Sequence, residues 1–246
     1  MQNTDPCRPR PPAKEKPVHI IWDFDGTLLP NRPYDSEQTL MLHKLKTSSD
    51  KISIIVRALA HLLYYADNKE HLSAAFKHFY AWFMKGTSVS VLHTVCEQLA
   101  EKISAPDRQS LLALKSRGHR MAVLSCGTAD LCERILEMAD VAACFDFIVG
   151  NRFQIDNGRI TGMTLKMKNP QSKVTVLNSM GMAAAATIAV GDGYTDVPML
   201  DWSRIPVVMD PSGLKRKRFT HKKYDYIASI SELLPLIDKR LPIVET

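Results

Sequence analysis

Val18-His19-Ile20-Ile21-Trp22-Asp23-Phe24-Asp25-Gly26-Thr27 is the stretch whose reading decides the fold. The run from Val18 to Trp22 is short, mostly apolar and rich in β-formers, the pattern of a buried strand in a parallel sheet. It ends in two carboxylates followed by Gly26, which permits a sharp backbone turn. Ligands in parallel α/β sheets gather beyond the carboxyl ends of strands, where Asp23 and Asp25 are expected. Strand alternation alone aims the two side chains in opposite directions, but a turn at Gly26 can bring both into one cleft.

Upstream of this stretch, residues 1–17 carry Pro6, Pro9, Pro11, Pro12 and Pro17 with no apolar period, and read as a flexible leader. Downstream, from about Tyr34 to Ala100, the chain reads as helical. Ile52–Tyr65 and Leu72–Met84 repeat apolar residues at three- and four-residue spacing. Ser104-Ala105-Pro106-Asp107 is a helix start with Ser104 as N-cap, and Gly118 ends that helix. A strand over Arg120–Leu124 follows, then Ser125-Cys126-Gly127-Thr128 and a helix near Asp130–Met138. Phe145–Val149 is a further strand. Phe153–Ile155 and Arg159–Leu165 flank the hairpin signal Asp156-Asn157-Gly158. A helix over Lys173–Met180 and strands over Thr187–Val190, Ile205–Met209 and Tyr226–Ala228 complete the pattern. The strand–helix alternation predicts an α/β core with a mostly parallel sheet.

Composition bounds the function. The 246 residues are 45% hydrophobic and 24% charged, enough for a sizeable core. The apolar runs fall short of the roughly 18–20 residues that a bilayer-spanning helix needs, so no membrane partner is expected. The N-terminus lacks the apolar segment of a secretory signal, and a cytoplasmic protein is expected. The five cysteines, Cys7, Cys96, Cys126, Cys132 and Cys144, contain no CxxC pair and read as free thiols. Much of the formal charge of +6 lies in Arg8, Arg10, Lys14 and Lys16 and in Lys215-Arg216-Lys217-Arg218. These read as a solvated tail and a basic loop rather than a nucleic-acid footprint, and no nucleic-acid partner is expected. A positive surface also attracts phosphorylated substrates.

Hydrolysis of a phosphate monoester needs a nucleophile, a proton donor for the leaving oxygen and positive charge around the phosphoryl group. Of the paired carboxylates, one can attack phosphorus while the other protonates the leaving group and later activates water. Two anions beside an anionic substrate call for a cation, and hard Mg²⁺ suits carboxylate and carbonyl oxygens. Asp192 and Asp196, in Gly191-Asp192-Gly193-Tyr194-Thr195-Asp196, add acidic groups at another strand end. Ser125 and Gly127 offer a hydroxyl and a backbone N–H before a helix, a setting that suits a phosphate oxygen. Lys173 opens a helix. Each feature alone also reads as ordinary turn, loop or surface chemistry, and Cys126 as a small loop residue.

The ordered set Asp23/Asp25, Ser125, Lys173 and Asp192/Asp196 resembles the four motifs of the haloacid-dehalogenase superfamily. Asn151-Arg152 followed by Asn157-Gly158-Arg159-Ile160-Thr161-Gly162 is similar to a pattern of its phosphoserine-phosphatase-like branch. The resemblance implies a Rossmann-like three-layer core over 18–33 and 104–246, with an α-helical cap inserted over 34–103. It implies a Mg²⁺-dependent phosphatase acting on a small phosphorylated substrate. Asp23 would form the aspartyl-phosphate and Asp25 would be the general acid/base. The Asp23 carboxylate, the Asp25 backbone carbonyl and Asp192 would hold Mg²⁺. Ser125, the Gly127 amide and Lys173 would hold the phosphoryl group, with Asp196 orienting Lys173 or a metal-bound water.

One departure concerns the substrate. Phosphoserine-hydrolysing members of the branch carry a glutamate nine residues beyond the nucleophile, where this chain has Arg32. Glu37 or Asp35 could substitute after a shift, though nothing in the pattern requires it, and Arg32 reads either as a hinge-surface residue or as one that favours a substrate with a second anionic group. Tyr34 is a further candidate beside the cap entrance. A phosphotransferase or phosphomutase retains the same motifs and differs in its phosphoryl acceptor. A non-catalytic phosphate-binding protein is expected to have lost at least one motif residue, and none is missing.

Overall fold

The computed structural model describes residues 17–47 and 73–241. The predicted helix over Ile52–Tyr65, most of the leader and Cys7 lie outside the described residues. Seven strands form one sheet in the order β4-β3-β2-β1-β5-β6-β7. These are β1 (His19–Trp22), β2 (Arg120–Thr128), β3 (Phe145–Asp156), β4 (Arg159–Thr164), β5 (Thr187–Gly191), β6 (Ile205–Met209) and β7 (Asp225–Ile227). All neighbours pair in parallel except β3 and β4. The chain leaves β1 for β2 on one side and later returns to β5 on the other. The first motif therefore exits at the strand where the order reverses, the crevice where open α/β sheets bind ligands.

Alternation along the strands divides the core into two clusters, one on each face of the sheet. Ile20, Trp22, Met121, Val123, Ile188 and Val190 belong to one, Ile21, Ala122, Leu124 and Ala189 to the other. The described helices are α1 (Ser36–Thr47), α2 (Ser73–Phe83), α3 (Val89–Ala100), α4 (Ala105–Ser116), α5 (Ala129–Met138), α6 (Gln171–Ser179), α7 (Val197–Trp202), α8 (Lys215–Arg218) and α9 (Leu233–Arg240). Residues of α1 to α5 and α9 join the first cluster, residues of α6 and α7 the second. The result is the expected three-layer, Rossmann-like α/β arrangement.

Local signals hold where the chemistry is strong. The Ser104 hydroxyl accepts from the Asp107 amide at 3.3 Å, capping α4, and Gly118 follows the helix at φ 84°. Asn157 and Gly158 both have positive φ at the β3–β4 turn, as a tight hairpin requires. Boundaries differ where polarity hides a strand. β2 continues past Leu124 to Thr128 across a register shift, through small and polar residues that carry no apolar alternation. β3 is continuous across Gly150-Asn151-Arg152, parallel to β2 as far as Asn151 and antiparallel to β4 from Arg152. Gly150 is required there, since a Cβ would stand 2.9 Å from the Gly127 carbonyl oxygen. The basic run expected as a loop is the short helix α8, and Leu233–Arg240 forms a helix that the sequence pattern leaves unassigned.

Helices α1 to α3 follow β1 and precede α4 and β2 in the chain. They meet the core through α3 against α5 and through the β3–β4 hairpin. Gly86 donates its amide to the Ile160 carbonyl, Ile160 donates to Thr87, and Val89 donates to Gly158. The Tyr80 and Phe153 rings add a contact at 6.0 Å. No described helix is long and apolar enough to cross a membrane.

Candidate active site

The carboxyl ends of β1, β2 and β5 bring Asp23, Ser125 and Asp192 together, and α6 delivers Lys173 from the second face. Asp23 is buried, its amide donating to the Val190 carbonyl at 2.8 Å, so the β1 exit is tied to β5. Lys173 is fully buried and bridges two carboxylates. Its Nζ lies 2.6 Å from Asp23 Oδ1 and 2.5 Å from Asp196 Oδ1. The other Asp196 oxygen accepts the amides of Asp192 at 2.8 Å and Gly193 at 3.1 Å. Asp196 packs over Gly191, where a Cβ would come within 2.5 Å of it.

Gly26 joins the first motif to the last. At φ 82° it sits in the left-handed region, and a Cβ there would stand 2.3 Å from Asp192 Oδ2. A side chain at this position is excluded both by the backbone and by the Asp192 carboxylate. Asp25 turns towards α1, where its Oδ1 accepts the Ser36 amide at 2.8 Å and its Oδ2 the Ser36 hydroxyl at 2.9 Å. The Gly-assisted turn thus brings both carboxylates of the motif to one end of the sheet, with different partners.

Oxygen atoms of Asp23, Asp192 and Asp196 lie within 4.8 Å of one another. Burial and the Asp196 charge push the Asp23 carboxyl well above its usual range, against the pull of Lys173. Burial, then Asp196, raises Asp192 as well, with Lys215 opposing. The Lys173 ammonium stays charged despite burial because Asp196 and Asp23 flank it, and its pKa is raised. Burial lifts Asp25 to about 6, with the Ser36 hydrogen bonds opposing. An all-oxygen donor set carrying this much anionic charge fits a hard divalent cation such as Mg²⁺. Asp196 is engaged by Lys173 on one oxygen and by two turn amides on the other, whereas Asp192 meets Lys215 through Oδ2, and Asp23 meets Lys173 through Oδ1 with only a 3.4 Å contact from Thr27 on Oδ2. Asp23 and Asp192 are therefore the side chains that could hold one.

Ser125 is buried, and its Oγ accepts the Gly127 amide at 2.9 Å. A Cβ on Gly127 would lie 3.1 Å from Ser125 Oγ and 3.4 Å from Asp25 Oδ2, so this segment lines the same end of the sheet. Burial pushes the Cys126 thiol up, disfavouring a reactive thiolate. Cys96, Cys126, Cys132 and Cys144 are all free.

The candidates between β1 and α1 divide. Arg32 is exposed, and its carbonyl, like that of half-buried Tyr34, accepts from Lys102 Nζ. Asp35 serves α1, accepting the Gln38 amide at 2.7 Å. Glu37 is buried; its Oε1 accepts from the Thr128 hydroxyl at 2.6 Å and its Oε2 pairs with Lys77 of α2. Its Cδ lies 3.9 Å from where a Gly127 Cβ would be. Lys77 is not legible in the sequence, where it is one basic residue in an amphipathic helix. Lys215 is a second unanticipated member, with Nζ 2.6 Å from Asp192 Oδ2.

A family model described as haloacid dehalogenase-like hydrolase matches residues 20–201. A phosphoserine phosphatase of Halobacterium salinarum is 29% identical over 196 residues, covering 78% of this chain and 85% of the relative. A phosphoserine phosphatase of Archaeoglobus fulgidus is 26% identical over 188 residues, 74% of this chain but 49% of the relative. Among solved structures, a HAD family hydrolase of Salmonella enterica serovar Typhi superposes with a TM-score of 0.67 at 22% identity, covering 92% of this chain and 73% of that one. A phospho-aspartyl intermediate analogue of phosphoserine phosphatase superposes with a TM-score of 0.66 at 17% identity, covering 90% and 99% of the two chains.

Proposed function

The chain belongs to the haloacid dehalogenase-like hydrolase family, and on that footing we propose that it is a Mg²⁺-dependent phosphomonoesterase that acts on a small phosphorylated metabolite through an aspartyl-phosphate at Asp23. The observation that carries the reading is the buried Asp23 carboxylate, held by Lys173 among three converging aspartates.

In this mechanism Asp23 attacks phosphorus, and the alcohol leaves as Asp25 protonates its oxygen. Lys173 keeps Asp23 oriented and neutralises charge on the transferring phosphoryl group. Ser125 and the Gly127 amide exchange their mutual hydrogen bond for bonds to phosphoryl oxygens. Asp25, now ionised, takes a proton from water, which attacks the acyl-phosphate and releases Asp23. Asp196 holds Lys173 and the Asp192–Gly193 turn in place. The Asp23 carboxylate, the Asp25 carbonyl and Asp192 would hold Mg²⁺, which would supply the positive charge that lets two anions approach. Positioning and charge supply most of the rate in phosphoryl transfer.

Residues 18–33 and 104–246 form the catalytic core in this reading. In the same reading α1 to α3 belong to a cap that selects the leaving group. The names of the relatives support phosphoserine as a first substrate to test, and Glu37 paired with Lys77 supports a leaving group that carries charge. Arg32, exposed, and Tyr34 are weaker contributors to that selection. The test is a panel of phosphoserine, phosphorylated amines, sugar phosphates and nucleotides, assayed with Mg²⁺, with EDTA and with excess Ca²⁺. Hydrolysis of a member with Mg²⁺, its loss in EDTA and inhibition by Ca²⁺, which prefers looser coordination, are expected. Equal turnover in EDTA would reject the metal mechanism. Transfer to an added alcohol in place of phosphate release would reject hydrolysis.

A further inference from the structure

Lys215 reaches the site from a region outside the four motifs. Strands β5 and β6 are parallel neighbours, so the loop leaving β6 stands beside the loop that carries Asp192. That loop is stapled to Asp210 at the end of β6. Asp210 Oδ2 accepts the Arg216 amide at 3.1 Å, Oδ1 accepts the Ser212 hydroxyl at 3.0 Å, and the Asp210 amide donates to Ile227. The loop backbone is therefore fixed, and α8 starts with Lys215 directed at Asp192. The neighbouring cations turn elsewhere. The Arg216 guanidinium lies 4.9 Å from the Tyr226 ring centre, and Arg218 lies 5.1 Å from that of Tyr194. Lys217 is exposed.

We propose that Lys215 competes with the divalent cation for Asp192, so that the β6 loop sets the metal affinity of the site. Asp192 Oδ2 faces Gly26 on one side and the Lys215 ammonium at 2.6 Å on the other. Mg²⁺ takes its oxygens at about 2.0–2.1 Å in a near-octahedral shell, and an ammonium on the same carboxylate both repels the ion and occupies donor space. A lysine on a flexible stem can yield the carboxylate while its backbone stays anchored. The inference rests on the proposal that Asp192 is a metal ligand.

Isothermal titration with Mg²⁺ alone tests it. Lys215→Met is expected to bind Mg²⁺ about fivefold more tightly than the unaltered chain, the equivalent of one ordinary ion pair removed from competition. Lys217→Met, which removes the same charge two residues away, is expected to change affinity by less than about twofold because exposed charges are screened. Asp192→Asn is expected to lose binding. Unchanged or weaker binding by Lys215→Met, with Asp192→Asn impaired, overturns the inference alone. An equal gain in Lys217→Met overturns it too, since general charge then accounts for the effect. Undiminished binding by Asp192→Asn overturns the metal assignment, and the inference with it.

Discussion

Two lysines meet the carboxylates of one site from different elements, in different environments. Lys173 comes from α6, has no exposed side-chain surface and bridges Asp23 to the equally buried Asp196. Lys215 comes from the β6 loop and meets Asp192 where the two side chains are 18% and 16% exposed. A cation sealed between two anions cannot leave without stranding both, whereas a cation at the rim can be exchanged for another. The contrast assigns the first lysine to fixed electrostatics of the reaction and the second to an adjustable charge.

The most forceful way to break this contrast is Lys173→Ala. It leaves two buried carboxylates unpaired, and a loss of about 3–5 kcal/mol in unfolding free energy is expected along with the activity. Denaturant unfolding and a phosphatase assay check this. Lys173→Ala with near-normal stability would show that the pair is not sealed as described.

Next in size is Asp25→Asn, which tests whether the second carboxylate acts as the acid. Turnover of an alkyl phosphate is expected to fall by about 10²–10⁴. An aryl phosphate with an acidic leaving group needs little protonation, so its first step should lose far less, visible as a retained burst of released phenol. Equal losses for both leaving groups would assign Asp25 a structural role at the start of α1 instead.

The smallest effect belongs to Lys215→Met. Without Mg²⁺ the unfolding free energy is expected to drop by about 1 kcal/mol or less, and saturating Mg²⁺ is expected to erase the difference. A drop comparable with that of Lys173→Ala would erase the contrast between the two lysines.

The same contrast explains what was legible beforehand. Asp23, Asp25, Ser125, Asp192 and Asp196 could be singled out because strand ends are marked by apolar runs and Gly turns, and a parallel sheet gathers strand ends, whereas Lys173, at a helix start, stood out only through its place in the ordered set that resembles the superfamily motifs. The hairpin at Asn157-Gly158 was legible from turn residues that tolerate positive φ, whereas the strand order depends on pairings between distant segments that the sequence pattern does not carry. Lys215 and Lys77 were not legible, because a lysine in a basic run or on an amphipathic helix looks like any solvated lysine until the chain folds. The extension of β2 through Ser125 to Thr128 was hidden for a related reason, since functional residues displace the apolar alternation that reveals a strand. Glu37, 14 residues past Asp23, is one of two shifted candidates, and its burial with Thr128 and Lys77 as partners separates it from Asp35, which accepts the Gln38 amide at the start of α1.

The central claim is that Asp23 takes the phosphoryl group. Rapid acid quench during turnover, followed by peptide mass spectrometry, tests it most directly. The account predicts one added phosphoryl group on Asp23, with neither adduct nor turnover in a folded Asp23→Asn variant. Near-normal Mg²⁺-dependent hydrolysis by that variant, or an adduct on another residue, would contradict it.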